Sequence, residues 1–164
     1  MRTFPTKILL ASDSSDTAAH AMDLAVELCE QTGSQLHLVY VGEDAYSSAT
    51  LISPEAADLE GVAREDPVLI EQLQQQSDRM ARRVLDTEVQ KVREAGGTVA
   101  QAHLRMGKAD IEIVELAKEI DAGLLILGSR GSGMIKRALI GSVSDSVVRH
   151  AHCPVTVVRQ DKDE

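Results

Sequence analysis

Gly128, Gly131, Gly141 and Ser142 are spaced so that bare backbone can meet an anion. They follow Leu124-Leu125-Ile126-Leu127, an apolar run that reads as a short buried strand. Gly141 leads into Ser142-Val143-Ser144, the expected capped start of a helix. Strand, glycine loop and helix start together place N–H groups and hydroxyls around an open space suited to phosphate. A Cβ would hold the backbone off the phosphate, and glycine also accepts positive φ. The plainer reading is a loop whose glycines serve only to turn the chain. Two commoner phosphate loops are excluded by spacing. A Walker loop needs Lys after its second glycine, but Met134 follows Gly133. The dinucleotide fingerprint fails because Gly131 stands three residues after Gly128.

Asp13 is the second candidate, either a ligand group or the cap of the helix that follows it. Lys136 and Arg137 lie inside the glycine loop and offer charge to phosphates, or only a solvated face. His20, His37 and His103 read as isolated, with no Cys or Ser placed to make a nucleophile–base couple. His150 and His152 are poor metal partners at their spacing, and Ser142 lacks a neighbouring base and is better explained as a cap. Cys29 and Cys153 have no partner at metal-ligand spacing and read as structural thiols. Glu112, Glu115 and Glu119 form what looks like a water-facing row.

The elements that must carry these residues alternate. Lys7–Ala11 is a strand ending in a cluster of helix-starting residues, Ser12 to Asp16. Thr17–Thr32 is a helix with Ala18, Met22, Ala25 and Cys29 on one face, closed by Gly33. A strand over Gln35–Val41 precedes Glu43–Pro67, a polar stretch with weak periodicity that reads as a long surface loop with a helical turn near Pro54–Leu59. Val68–Ala95 is a long helix with Leu69, Leu73, Met80, Val84, Leu85, Val89 and Val92 inward, ended by Gly96-Gly97. Thr98–Leu104 is a third strand, and a helix from about Asp110 turns Ile111, Val114, Ala117 and Ile120 inward. The glycine stretch, a helix from Ser142 to about Ala151 and a last strand Val155–Val158 complete the chain. Strands separated by helices call for right-handed crossovers into a parallel sheet with helices on both faces. Ligands then sit past the strand C-terminal ends, where the winding reverses.

At 164 residues the chain is of single-domain length, able to bury roughly 70% of its unfolded surface. The formal charge of −9 argues against a nucleic-acid or anionic-membrane surface. Phe4, Tyr40 and Tyr46 are the only aromatic residues, so a bound base would rest on aliphatic side chains and backbone. No signal peptide or long apolar span stands in the sequence, and a cytoplasmic protein is expected.

The pattern Gly128-x2-Gly131-x9-Gly141-Ser142 resembles the nucleotide-binding signature of the universal stress protein family. Lys7–Ser15 (KILLASDSS) resembles that family's first strand and its aspartate. Val39–Gly42 is similar to its second-strand exit, and Leu124–Arg159 matches nearly throughout. One departure is Ser14, where the family often has glycine and where a side chain narrows the entrance. The resemblance implies one α/β domain over residues 1–160 with a charged tail at 161–164. It implies a doubly wound five-stranded parallel sheet ordered 3-2-1-4-5, which brings Asp13 beside Gly128. Carried over residue by residue, it implies that Asp13 holds ribose or adenine and that Val41 reads the adenine edge through its N–H and C=O. Gly128, Arg130 and Gly131 then wrap the ribose and first phosphates, and Gly141, Ser142, Val143 and Ser144 hold the phosphates. The implied ligand is ATP, with Mg2+ on the phosphates but no dedicated cage for it. The implied assembly is a homodimer through Val155–Val158, an apolar edge strand otherwise left exposed. The function favoured is a nucleotide-binding regulator of the stress response; the alternatives are a slow ATP-hydrolysing enzyme and a nucleotide-free dimeric interaction module.

Overall fold

The computed structural model describes residues 4–44, 66–129 and 140–160. Lys7–Ala11 forms β1, Asp16–Thr32 α1, Gln35–Gly42 β2, Pro67–Glu94 α2 and Val99–Met106 β3. Ala109–Glu119 forms α3, Leu124–Gly128 β4, Ser142–His150 α4 and Val155–Val158 β5. All strand pairs are parallel, in the order β3-β2-β1-β4-β5. The expected sheet and its winding are therefore the observed ones. The long loop expected at Glu43–Pro67 falls almost wholly outside the described residues.

Side-chain alternation divides the core. Ile8, Leu10, Leu36, Leu38 and Ile126 pack against Ala21, Met22, Ala25 and Val26 of α1 and Leu85 and Val92 of α2. Leu9, Ala11, Val39, Leu125 and Leu127 face Ile113, Val114, Leu116 and Ala117 of α3 and Val147 of α4. Two helices thus cover each face, and the interior strands are apolar on both sides, as a buried parallel sheet requires.

Helix ends follow local chemistry. Ser15 caps α1 by accepting the Ala18 N–H, and Gly33 closes it at φ 71. Asp66 caps α2, with Pro67 in its first turn rather than in the preceding loop. Three core expectations need correction. Ile111 is exposed, and Ile113 and Leu116 fill the interior of α3 instead. Leu73 and Met80 are exposed as well. Length is the reason: α2 has 28 residues and spans roughly 42 Å, while the eight residues of β2 cover about 26 Å. A Cβ on Gly42, at the end of β2, would lie 2.8 Å from the Ala81 Cβ. The part of α2 before Ala81 therefore overhangs the strand ends.

Candidate functional site

β1 and β4 are neighbours, and their last pair is Ala11 with Leu127. Past this point the two chains leave for opposite faces, which opens the gap where ligands sit in such sheets. On its way out, Ser12 donates its N–H to the Val39 carbonyl at 3.1 Å. The side of a strand to which a residue's backbone groups point repeats every second residue in a parallel ladder. Val41 therefore points its N–H and C=O to the same side as Val39, but β1 has already ended there. β2 continues past that end, paired to β3 through Gly42 and Met106. A backbone donor and acceptor are aimed side by side into the gap.

The β4 wall is built from main chain. Gly141 donates its N–H to the Ser129 carbonyl at 2.6 Å, and Ser129 donates its own to Val158 at 2.8 Å. Gly141 is the cap residue of α4, at φ −70 and ψ 160, and as a glycine it brings no side chain to cap the helix. Ser142 was expected to be that cap; it is instead the first helical residue, and exposed. Val143 is also exposed, so the first turn opens its N–H groups outward at the positive end of the helix dipole. Ser144 is buried, and its hydroxyl donates to the Gly128 carbonyl at 2.8 Å. That bond ties the start of the helix to the end of the strand. Arg130, Gly131, Lys136 and Arg137 lie outside the described residues.

Neither described glycine of the motif has positive φ; Gly33, Gly96 and Gly107 do. A Cβ on Gly128 would come 2.5 Å from the Thr17 Oγ1 and 2.8 Å from the Ala18 backbone nitrogen. Gly128 is bare because the start of α1 rests on it. Helix packing thus gives Gly128 a reason to be bare besides the expected room for a phosphate.

The β1 wall is built from side chains. Asp13 is exposed and accepts the Ser15 N–H at 3.0 Å. Since Ser15 caps α1, the reading of Asp13 as the cap does not hold. Ser14 has φ 66, the left-handed region that favours glycine. The Ser12 hydroxyl donates to Glu88 Oε2 at 2.7 Å, and the Ser14 hydroxyl to Oε1 at 3.0 Å. Lys91 adds a 2.7 Å ion pair. Glu88 is only 2% exposed. Burial pushes its carboxyl up, but the hydrogen bonds from Lys91, Ser12 and Ser14 outweigh this and hold it below the ordinary value. Tyr40 registers the same neighbourhood: burial first, then the charges of Glu43, Asp13 and Glu88, raise its phenol. Glu88 was missed in the sequence. The available signal was a charged residue in the buried stripe Ala81, Leu85, Glu88, Val92 of α2.

The family model described as the universal stress protein family matches residues 5–159. Universal stress protein YxiE of Bacillus subtilis is 30% identical, covering 93% of this chain and 98% of that protein. Universal stress protein UspA from Lactobacillus plantarum superposes with a TM-score of 0.70 at 28% identity, covering 94% and 97% of the two chains. The chain belongs to the universal stress protein family. Two more distant members share the fold at 21% identity. One, solved in complex with cAMP, has a TM-score of 0.62 and covers 96% of this chain and 99% of its own. The other, from Archaeoglobus fulgidus in complex with dAMP, has a TM-score of 0.52 and covers 96% and 98%.

Elsewhere in this universal stress protein the histidines depart from expectation. His37 and His103 are not isolated: their rings stack, with Nδ1 of one 3.0 Å from Nε2 of the other. Adjacent strands bring them together across a separation that spacing alone does not reveal. Burial comes first in lowering both, followed by Lys7 for His37, and by His37 and Arg105 for His103 against an opposing Glu119. The glutamate row is not wholly water-facing, since Arg105 of β3 pairs with Glu119 and lies 3.9 Å from Glu112. Burial pushes the Cys29 thiol up to about 11, which keeps it unreactive. Among the described residues no cluster of three His, Cys, Asp or Glu could hold a metal. No described helix is long and apolar enough to cross a membrane. A shallow cleft of about 270 Å³ lies between α3 and α4, lined by Asp110, Ile111, Val114, Lys118, Ser146 and His150. It sits between those helices and not at the β1/β4 switch point.

Proposed function

We propose that this universal stress protein is a cytosolic regulatory protein that binds an adenine nucleotide, ATP, in the gap between β1 and β4. One observation carries the reading: two backbone surfaces face that gap, the N–H and C=O of Val41 and the glycine-started first turn of α4. The first matches the donor–acceptor edge of adenine, the second matches phosphate. Asp13, at the β1 exit, would take the ribose, and the carboxylates near Tyr40 would keep phosphate off the nucleoside end. Gly128, Arg130 and Gly131 would line the ribose and first phosphates; Gly141, Ser142, Val143 and Ser144 would take the rest. The relatives solved with cAMP and dAMP support the adenine class. Mg2+ would ride on the phosphates, held by them rather than by a protein cage.

Magnitudes fit. Hydrogen bonds to charged acceptors contribute roughly 1.5–3 kcal/mol each, and a helix N-terminus adds up to about 2. Three or four such bonds with a buried base reach the ~8 kcal/mol of a micromolar complex. Binding is proposed ahead of turnover, because Asp13 already accepts the Ser15 N–H and hydrolysis needs a further group to orient the attacking water. The assembly proposed is a homodimer along β5. That edge strand is apolar, Val155-Thr156-Val157-Val158, whereas the opposite edge, β3, carries Gln101, His103 and Arg105 as guards. Sedimentation velocity of the purified chain checks it, and a monomer at micromolar concentration would remove it.

The test of the main reading is direct. Denaturing the purified protein and chromatographing the supernatant should release adenine nucleotide, and calorimetry on nucleotide-free protein should give a micromolar Kd for ATP. Absence of both leaves only a nucleotide-free interaction module.

A further inference from the structure

We infer that Glu88 is a positioning residue for nucleotide binding: from α2 it holds the Ser12–Ser14 turn in the conformation that presents Asp13 to the gap. The inference rests on the nucleotide reading above and extends it to a residue far away in sequence. Glu88 occupies a core position of α2, between Leu85 and Val92, where burying a charge is costly unless it is paired. A buried carboxylate persists only where donors satisfy it, and replacement of such groups by apolar ones is often neutral for stability. Two of its three donors belong to the β1 exit and not to α2: the hydroxyls of Ser12 and Ser14. They flank Asp13 on both sides. The Ser12 hydroxyl also accepts the Ser14 N–H at 3.3 Å, which closes the turn on itself.

The turn needs holding. Ser14 sits at φ 66, where a Cβ is strained. Such a conformation survives only when its surroundings over-determine it. The Glu88 bonds supply that restraint, and the Ser15 N–H then fixes the Asp13 carboxylate within the restrained turn. The serine that stands where the family often has glycine is thus more than a narrower entrance. It exchanges a strain-free turn for one clamped from α2.

The experiment compares wild type with Glu88→Gln, Ser14→Ala, Ser14→Gly, Asp13→Ala and their combinations, measuring affinity for adenosine, ATP and inorganic triphosphate by calorimetry. Glu88→Gln is expected to weaken adenosine and ATP alike, by about tenfold, because Asp13 holds the nucleoside. Triphosphate, held by α4, should bind unchanged. Ser14→Ala keeps the strained Cβ and loses the clamp, so it should show the same selective loss even if Glu88→Gln folds poorly. Ser14→Gly removes the strain, and in the Glu88→Gln background it should restore most of the adenosine affinity. With Asp13→Ala already present, Glu88→Gln should cost nothing further. A general packing role would show none of this rescue. Wild-type adenosine affinity in Glu88→Gln and Ser14→Ala, or equal loss of triphosphate, overturns the inference alone. A wild type that binds neither adenosine nor ATP overturns both it and the nucleotide reading.

Discussion

The two walls of the gap past β1 and β4 are built on opposite principles. The β4 wall is main chain: Gly141 bonded to Ser129, Ser144 bonded back to Gly128, and a helix that starts on a glycine. The β1 wall is side chain: Ser12, Asp13 and Ser14, gripped by a glutamate from a helix that begins only at Pro67. A wall of backbone can receive charge without rearranging, because its dipoles are set by the helix itself. A wall of side chains has to be held in place, and here the holding group carries a charge and a proton equilibrium of its own. The first is written within one short stretch of sequence, the second only in the packing of α2.

The largest expected effect falls where the comparison is easiest to misjudge. Gly128 and Gly141 look alike as motif glycines but belong to different parts of the problem. Gly128→Ala drives a Cβ into the backbone of α1 at Ala18, and overpacking of this kind costs about 1–3 kcal/mol or more. The melting midpoint of the nucleotide-free protein should fall by on the order of 5 °C. An unchanged midpoint would show that the start of α1 does not rest on Gly128.

Gly141→Val should do the reverse. Its φ of −70 and ψ of 160 suit valine, so the fold should survive by circular dichroism. The new side chain stands at the mouth of the α4 first turn and removes contacts that contribute roughly 1.5–3 kcal/mol each. ATP affinity should drop at least about tenfold, with adenosine less affected. Equal losses for both ligands would erase the division into two walls.

What could be read from the sequence follows the same division. Alternating apolar runs and helix stops located all five strands, because buried parallel strands and glycine-closed helices are local signals. The order of the strands came from family resemblance, since periodicity carries no neighbour information. Gly141 and Ser144 were legible as parts of one spacing. Glu88 was not, because its partners Ser12 and Ser14 are 76 and 74 residues away. Nor was the His37–His103 contact, which depends on β2 and β3 lying side by side. The exposure of Leu73 and Met80 escaped for a third reason: periodicity marks a helix face but not where the sheet beneath it ends.

The smallest expected effect separates the walls by pH. Hydrogen bonds hold the Glu88 carboxyl below its ordinary 4.5. Its contribution to stability is therefore complete above about pH 4.5 and is lost as pH falls through the lowered value. His37 and His103 are held below their ordinary 6.5, so they favour the fold when neutral. Their contribution is complete above pH 6.5 and is lost as pH falls through their own lowered values. The plot of melting midpoint against pH should then show two descending limbs. Glu88→Gln should reduce the lower limb to the part that Asp110 contributes, held below its ordinary value by the Ser146 hydroxyl, and spare the upper, so that its curve approaches the wild-type curve at the acid end. Gly141→Val should keep both limbs, because it touches none of Glu88, Asp110, His37 and His103. If the Glu88→Gln curve instead runs parallel to wild type down to about pH 3, the carboxylate is not what holds the β1 exit, and the contrast between a charged wall and a backbone wall loses its chemical basis.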